Sequence, residues 1–461
     1  MTSEREGWKR DFVLVTAFHL VLAVACIAMG VRIDAQPARG CWDCFWQSIP
    51  ASLLVTRPTE SLWYLHAQPP LFNLCGAALL LIAPTRQLAL LHGLHVVLGA
   101  LTSGMVYGII RRVAGRRRAA LAAALLLATN PTMLLFEAYP LYVVTTAFLA
   151  TLAVFALCLR ESAGDVALLV SAGSIATLTL LWSTYHLAFA VVWAVLVATV
   201  ATRRLRTLAV ALLLVAPVGG WYAKNQALYG FFGASSWFGQ SLWRAVSARY
   251  TPEQLQTLAP VAGLDKKLIS IPPFSLPSRY VALGYAARSP IPLLDGDTRH
   301  NLNIVAISRA YGASAGRLLV HDPAHYAGNV ARSYLAFTRP SPSLQAHVGA
   351  NAARIPLLVV PWSQIQGAAI AALIGVPCGP LLAIALPVLF VAHGVRAVRS
   401  PRGVTDHISS EPVVPLALVL CGYTLAAGCL FEYGETARFK VTIEPLLGAL
   451  LAAPLVALDR R

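Results

Sequence analysis

An all-α, polytopic integral membrane protein is the fold class this sequence predicts, and three observations predict it. Hydrophobic residues fill 57% of the 461 positions and charged residues only 12%, a balance at which water is the wrong solvent. Mean hydropathy is +0.65. Apolar runs long enough to cross roughly 30 Å of hydrocarbon recur along the chain, among them Phe12 to Val31, Arg118 to Glu137 and Val413 to Phe431.

The first run is longer than the apolar segment of a signal peptide and lacks a small-residue cleavage site, so it is expected to be the first span. The formal charge of +16 does not describe a nucleic-acid binder, because the basic residues fall in short knots between apolar runs. Carrying Lys or Arg across a bilayer is costly, so such knots mark the cytoplasmic side. They are Lys9 and Arg10, Arg111 to Arg118, Arg160, Arg203 to Arg206, Arg396 to Arg402, and Arg460 with Arg461.

An even number of crossings must separate successive knots. Spans near 12–31, 86–110, 118–137, 141–160, 165–183, 187–201, 205–222, 377–396, 413–431 and 439–457 meet that condition, provided Pro69 to Ala83 does not cross. That stretch opens on Pro-Pro, ends before Pro84 and is short for a span, so a re-entrant or interfacial helix is expected there. About ten to eleven transmembrane helices result, in the cytoplasmic (inner) membrane, with both termini inside. The chain then divides into an N-terminal transmembrane module, 1–222, with a first external loop at 32–68; a large external loop, 223–376; and C-terminal helices, 377–461. Within the large loop, Asn301 to Phe337 shows helical apolar spacing interrupted by Arg309, Arg317 and Arg332, which predicts amphipathic helices on the outer face.

Ionisable residues inside spans are rare and usually functional. Here Asp34, Glu137, His186, Glu432, Glu435, Arg438 and Glu444 all fall near the predicted external ends, leaving the midsections almost uncharged. A transporter or lipid flippase, the alternative function class, is expected to carry charge midway in broken helices and repeated halves. A site at the outer surface instead suits a lipid-borne donor meeting an external acceptor. Most of the eight cysteines lie within spans as small hydrophobes, while Cys41 and Cys44 form a C-x-x-C in the first loop that could close a local disulfide. No Walker A, dinucleotide-binding, G-x-S-x-G or HExxH pattern is present.

Four stretches then carry a family likeness: LHAQPPLFNL (Leu65 to Leu74), the segment from Arg111 to Val144 containing ATNPTMLLFEAYP, WYAKNQALYGFFGASSWFG (Trp221 to Gly239) and EYGETARFKVTIEP (Glu432 to Pro445). Together with an acidic residue after the first span, they resemble the GT-C superfamily. The closest likeness within it is to the dolichyl-phosphate-mannose protein mannosyltransferase-like and aminoarabinose transferase-like group. The resemblance implies a membrane glycosyltransferase that takes a sugar from a polyprenyl-phosphate carrier and gives it to an external glycan, lipid or protein acceptor, with no nucleic acid involved.

The same resemblance implies roles. An acidic residue of the first loop, Asp34 or Asp43, takes the acceptor's proton as general base. His66 and Gln68, preceding Pro69 and Pro70, stand where relatives carry a Lys or Gln before Pro-Pro; His66 either contacts phosphate or acceptor, or hydrogen-bonds at the interface. Glu137 helps place the acceptor, holds a divalent cation, or accepts from a tyrosine such as Tyr139 or Tyr142. Lys224 and Arg438, the latter beside Glu435, meet the donor phosphate at headgroup level, with Arg244, Arg288 and Arg339 as weaker candidates. No metal is required by a motif, although a divalent cation is allowed.

Overall fold

The computed structural model describes residues 2–33, 42–44, 47–285, 304–338, 387–392, 395 and 411–458, and among them there is no strand. The first half runs through α1 (Thr2–Ala28), α2 (Ala51–Thr56), α3 (Pro58–Tyr64), α4 (Leu71–Ile82), α5 (Gln87–Ala114), α6 (Arg117–Ala128) and α7 (Pro131–Glu137). Next come α8 (Val143–Cys158), α9 (Arg160–Ala163), α10 (Asp165–Leu181), α11 (Leu187–Thr199) and α12 (Arg204–Tyr229). A second group follows: α13 (Phe238–Ser247), α14 (Pro252–Ala262), α15 (Lys266–Ile269), α16 (Pro277–Ala282), α17 (Ile304–His321) and α18 (Pro323–Thr338). The described chain closes with α19 (Val413–Phe431) and α20 (Thr436–Leu458).

Among the described residues four helices are long and apolar enough to cross a membrane: Gly7–Ala28 within α1, then α5, α12 and α19; the bent pair α6 and α7 makes a fifth if it counts as one span. The molecule is thus an all-helical chain with the apolar helices of a membrane-embedded protein. Exposed Val13, Val21 and Val24 on α1, with Leu205 and Leu213 on α12, are the side chains such helices turn toward lipid. Inward, the bundle buries Tyr107, Phe136, Tyr185, Trp193 and Phe439 in one continuous core. The expected short helix after Pro-Pro is α4, which starts directly after Pro70 because Pro has no N–H to give to a preceding turn. At 12 residues it is about 18 Å long, short of a full crossing.

The span expected over 118–137 is broken. Its two halves meet at an angle of 51°, because Asn130 turns its side chain onto the Thr132 N–H at 3.0 Å and Pro131 starts a new helix. The Asn-Pro pair was the signal for this break. The expectation of an uncharged midsection also fails. His19, twelve residues after Gly7 and nine before Ala28 in the first candidate span, lies 2.6 Å from Glu137 Oε1, and both residues are 1% exposed. Glu137, the last residue of α7 and two before Tyr139, is therefore buried against α1 and paired with a histidine.

Around this pair the polar bonds are specific. With Nε2–H given to the carboxylate, His19 Nδ1 is left to accept from Ser103 at 2.9 Å. His95 Nδ1 donates to the Glu137 carbonyl at 3.2 Å. Gly99 makes the room: a Cβ there would stand 2.1 Å from Glu137 Oε1.

The Arg-rich turns gather at one end of the bundle. Arg117 grips buried Asp11 through Nε at 2.6 Å and a second bond at 2.9 Å, and Tyr107 donates to the same carboxylate at 2.9 Å. Arg112 pairs with Glu161, and Asp165 accepts from the Thr202 and Arg203 N–H groups at 3.0 and 3.2 Å, tying the α9–α10 turn to the α11–α12 turn.

At the other end, α13 to α18 form a cap with its own core of Trp237, Trp243, Leu255, Leu268, Tyr280 and Tyr311. The amphipathic helices expected near 301–337 are α17 and α18. Ile304, Ile307, Tyr311, Ala315 and Leu318 are buried at helical spacing, while Arg309 and Arg317 reach carbonyls of Gly230 and Gly263. Helix α13 crosses α17 at Gly239, whose missing Cβ would lie 1.8 Å from the Ser308 carbonyl oxygen.

Candidate functional site

Where the cap meets the bundle, the chain encloses a cavity of about 1220 Å³. Each wall comes from an element end. The α7–α8 turn supplies Tyr139, Leu141 and Tyr142, and the α10–α11 turn supplies Trp182 to Thr184 and His186. The segment after α12 contributes Phe231 to Trp237, and α13 contributes Phe238, Ser241 and Arg244. The last wall is the α19–α20 turn, with Phe431, Glu432, Glu435 and Arg438. Helix α17 adds Val305, Ser308, Arg309 and Gly312; aromatic rings are the commonest large side chains, and Arg244, Glu432, Glu435 and Arg438 stand together.

These four form an alternating network. Arg244 donates to Glu432 at 2.6 Å and to Glu435 at 3.5 Å. Arg438 donates to Glu435 at 3.3 Å and to the Tyr142 hydroxyl at 3.1 Å. Its guanidinium also lies 5.7 and 5.8 Å from the ring centres of Tyr142 and Trp182, within cation–π range. Arg438 is 8% exposed. The Nε–H groups of both Arg244 and Arg438 are buried with no hydrogen-bond partner among the described residues.

Of the residues nominated from sequence, Gln68, Tyr139, Glu435 and Arg438 line this cavity. His66, Glu137 and Lys224 do not. Lys224 was expected in a loop at headgroup level; α12 instead continues to Tyr229 and ends on Gly230 at φ 69°, a left-handed C-cap. Lys224 Nζ therefore points back along the helix, donating to the carbonyls of Trp63 (3.2 Å) and Leu65 and stacking 3.5 Å from the Trp221 ring centre. The donor-phosphate role assigned to it gives way to a backbone-anchoring one.

Five consecutive carbonyls of the strap from Trp63 to Ala67 are satisfied this way. Tyr229 donates to Tyr64, the Ser236 N–H to His66 at 2.9 Å, and Ser235 to Ala67, beside the two held by Lys224. The strap begins on the last turn of α3, whose final carbonyls have no helical partner, and is buried from Leu65 on, so its carbonyls need such partners. His66 takes the hydrogen-bonding alternative: its Nδ1 is 2.9 Å from Ser236 Oγ, and the residue is 1% exposed against the Tyr229 ring. The strap delivers Gln68 to the cavity wall, where its Oε1 accepts from Ser183 at 3.4 Å.

Of the two aspartates of the first loop, Asp43 is exposed and accepts the Ala51 N–H at 2.8 Å at the start of α2, outside the cavity lining. Asp34 lies outside the described residues, as do Arg288, Arg339 and the Cys41 partner of the C-x-x-C. Among the described residues no group of three or more His, Cys, Asp or Glu could hold a metal ion. Sequence reasoning put His186 at an external span end and Phe231 and Phe232 in the Trp221 to Gly239 stretch but gave them no role, and it held Arg244, which also lines the cavity, as a weaker candidate. No family model, no curated protein and no solved structure matches this chain.

Proposed function

We propose that the chain is a membrane glycosyltransferase of the GT-C type, transferring a sugar from a polyprenyl-phosphate carrier to an acceptor in the cavity between bundle and cap. The observation that carries this reading is the pairing of buried Arg438 and half-buried Arg244 with aromatic walls at the end of the bundle opposite the Arg-rich turns. A phosphate at headgroup level is recognised by arginine, and a prenyl chain and a sugar ring by aromatic surface. Arg438 and Arg244 hold the phosphate, while Gln68, Tyr139 and Tyr142 face the sugar or acceptor. Asp34 is the general base by resemblance, Asp43 being committed to the start of α2. Ten crossings follow if the shorter apolar helices, α8, α10 and α11, and the segments near 377–396 and 439–457 cross as well. The basic ends then face the cytoplasm and the cavity faces outward.

The test is donor consumption by the full chain in proteoliposomes, with radiolabelled polyprenyl-phosphate sugars. Release of sugar from the carrier, lost on Asp34→Asn, supports the reading. Intact donor under every condition overturns it.

A second reading, a proton-coupled transporter or lipid flippase, is favoured by one observation. The His19–Glu137 pair lies at mid-depth of α1, where ionisable groups often mark a transport path. In the same vesicles, movement of labelled lipid across the bilayer without cleavage separates this class from transfer.

A further inference from the structure

Glu435 occupies a position in which each of its two oxygens meets a different guanidinium: Oε1 receives Arg244 at 3.5 Å and Oε2 receives Arg438 at 3.3 Å. Both contacts are long beside the 2.6 Å bond from Arg244 to Glu432. The two arginines still keep buried Nε–H groups with no partner among the described residues, and a carboxylate with two oxygens leaves such donors unmet. A phosphate monoester, which is what the carrier becomes when its sugar bond breaks, brings three terminal oxygens and more charge than the diester donor, and so can accept from both forks. Within this cluster two arginines already face Glu432 and Glu435, while Arg309 of the same cavity is turned to the Tyr229 and Gly230 carbonyls, so a phosphate entering between Arg244 and Arg438 must displace one carboxylate to be bound there without excess negative charge. Glu435 is the one whose bonds to the arginines are long, and it directly follows Gly434, whose φ of 86° gives the turn a residue free of side-chain hindrance.

We propose that the Glu435 carboxylate is a resident stand-in for phosphate, filling the slot between Arg244 and Arg438 and leaving it when a phosphate-monoester ligand arrives. This rests on reading the cavity as the seat of an anionic headgroup. It adds that the chain carries its own competitor for that seat, which sets the affinity low until the ligand's remaining contacts are made.

The experiment is calorimetric titration of the full chain in detergent with decyl phosphate, and separately with inorganic phosphate. Glu435→Gln, near in size and partly exposed, is expected to bind decyl phosphate about tenfold more tightly than the wild type, and Glu435→Ala to gain by the same order. Arg244→Gln is expected to lose about tenfold. A gain shared by inorganic phosphate shows a slot for phosphate itself, and a gain confined to decyl phosphate shows a lipid headgroup site; both support the proposal. Unchanged or weaker binding by both Glu435 variants overturns it, as does failure of the wild type and all variants to bind either probe. Tighter binding without sugar transfer in the vesicle assay overturns the transfer reading alone.

Discussion

The two ends of the bundle each hold arginine against carboxylate, and they differ in how fully the donors are used. At the Arg-rich end, Asp11 takes two bonds from Arg117 and one from Tyr107. At the cap end, Arg244 and Arg438 share Glu435 at long range and retain unsatisfied Nε–H groups. A buried donor left without a partner costs on the order of 1–3 kcal/mol, a cost that packing elsewhere must offset and that a ligand can relieve. The satisfied end reads as structure and the unsatisfied end as a place for something to bind.

The largest effect expected under this rule falls on the pair between the two ends. His19→Leu strands the Glu137 carboxylate in the interior and is expected to cost about 3–5 kcal/mol. Adding Glu137→Leu is expected to recover most of that loss, since an apolar pair replaces a buried ionic one at little net cost. Thermal unfolding of the full chain in detergent measures both. A double variant as unstable as the single would show that the pair holds more than itself together.

The comparison of the two ends is sharpened by a crossed pair of variants. Arg117→Gln should lower the unfolding temperature and leave decyl phosphate binding unchanged, whereas Arg244→Gln should weaken that binding about tenfold with a smaller effect on unfolding. Equal effects of both substitutions on binding would erase the distinction.

A smaller loss, about 1–3 kcal/mol, is expected for Lys224→Met, which frees the Trp63 and Leu65 carbonyls of the buried strap. Proteolysis near residues 63–68 should accelerate in that variant, a change that a phosphate-binding role for Lys224 does not predict.

The smallest effect is at a helix cap away from the cavity. Asp322 accepts the His325 N–H at 2.9 Å and the Tyr250 hydroxyl at 2.7 Å, so Asp322→Ala should cost about 1 kcal/mol. The Tyr250 bond, with the His325 N–H, holds the Asp322 carboxyl below its ordinary value. A depressed carboxylate stabilises the fold above the ordinary carboxylate pKa of about 3.9 and loses that contribution as pH falls through the folded value. The difference in unfolding temperature between wild type and Asp322→Ala should therefore be full at pH 6 and shrink at the acid end.

Much of this architecture was legible because apolar length and punctuation are local properties. The runs over α1, α5 and α19, the short helix after Pro70 and the amphipathic α17 all follow from composition and spacing within one segment. What stayed hidden depends on contacts far apart in the chain. Nothing local to Glu137 announces His19, 118 residues away, and Asn130–Pro131, which breaks the helix, falls within the one span expected over 118–137. Lys224 looked like a headgroup anchor because its sequence neighbours are Trp221 and Tyr222; its true partners are carbonyls near residue 64, invisible to spacing. That Arg438 and Glu435 share a cavity wall follows from a charged helix-start turn, a local feature, whereas Arg244 joins them from a segment about 190 residues away, which spacing does not reveal.

The most direct measurement of the central claim is sugar release from a radiolabelled polyprenyl-phosphate donor by the wild-type chain and by Arg438→Gln in proteoliposomes. Release by the wild type, with loss of at least about a hundredfold in the variant, is the result this account predicts, since a buried charge-assisted contact to phosphate is worth about 3 kcal/mol. Equal release by both proteins would contradict it, because the cavity would then have no part in holding the donor.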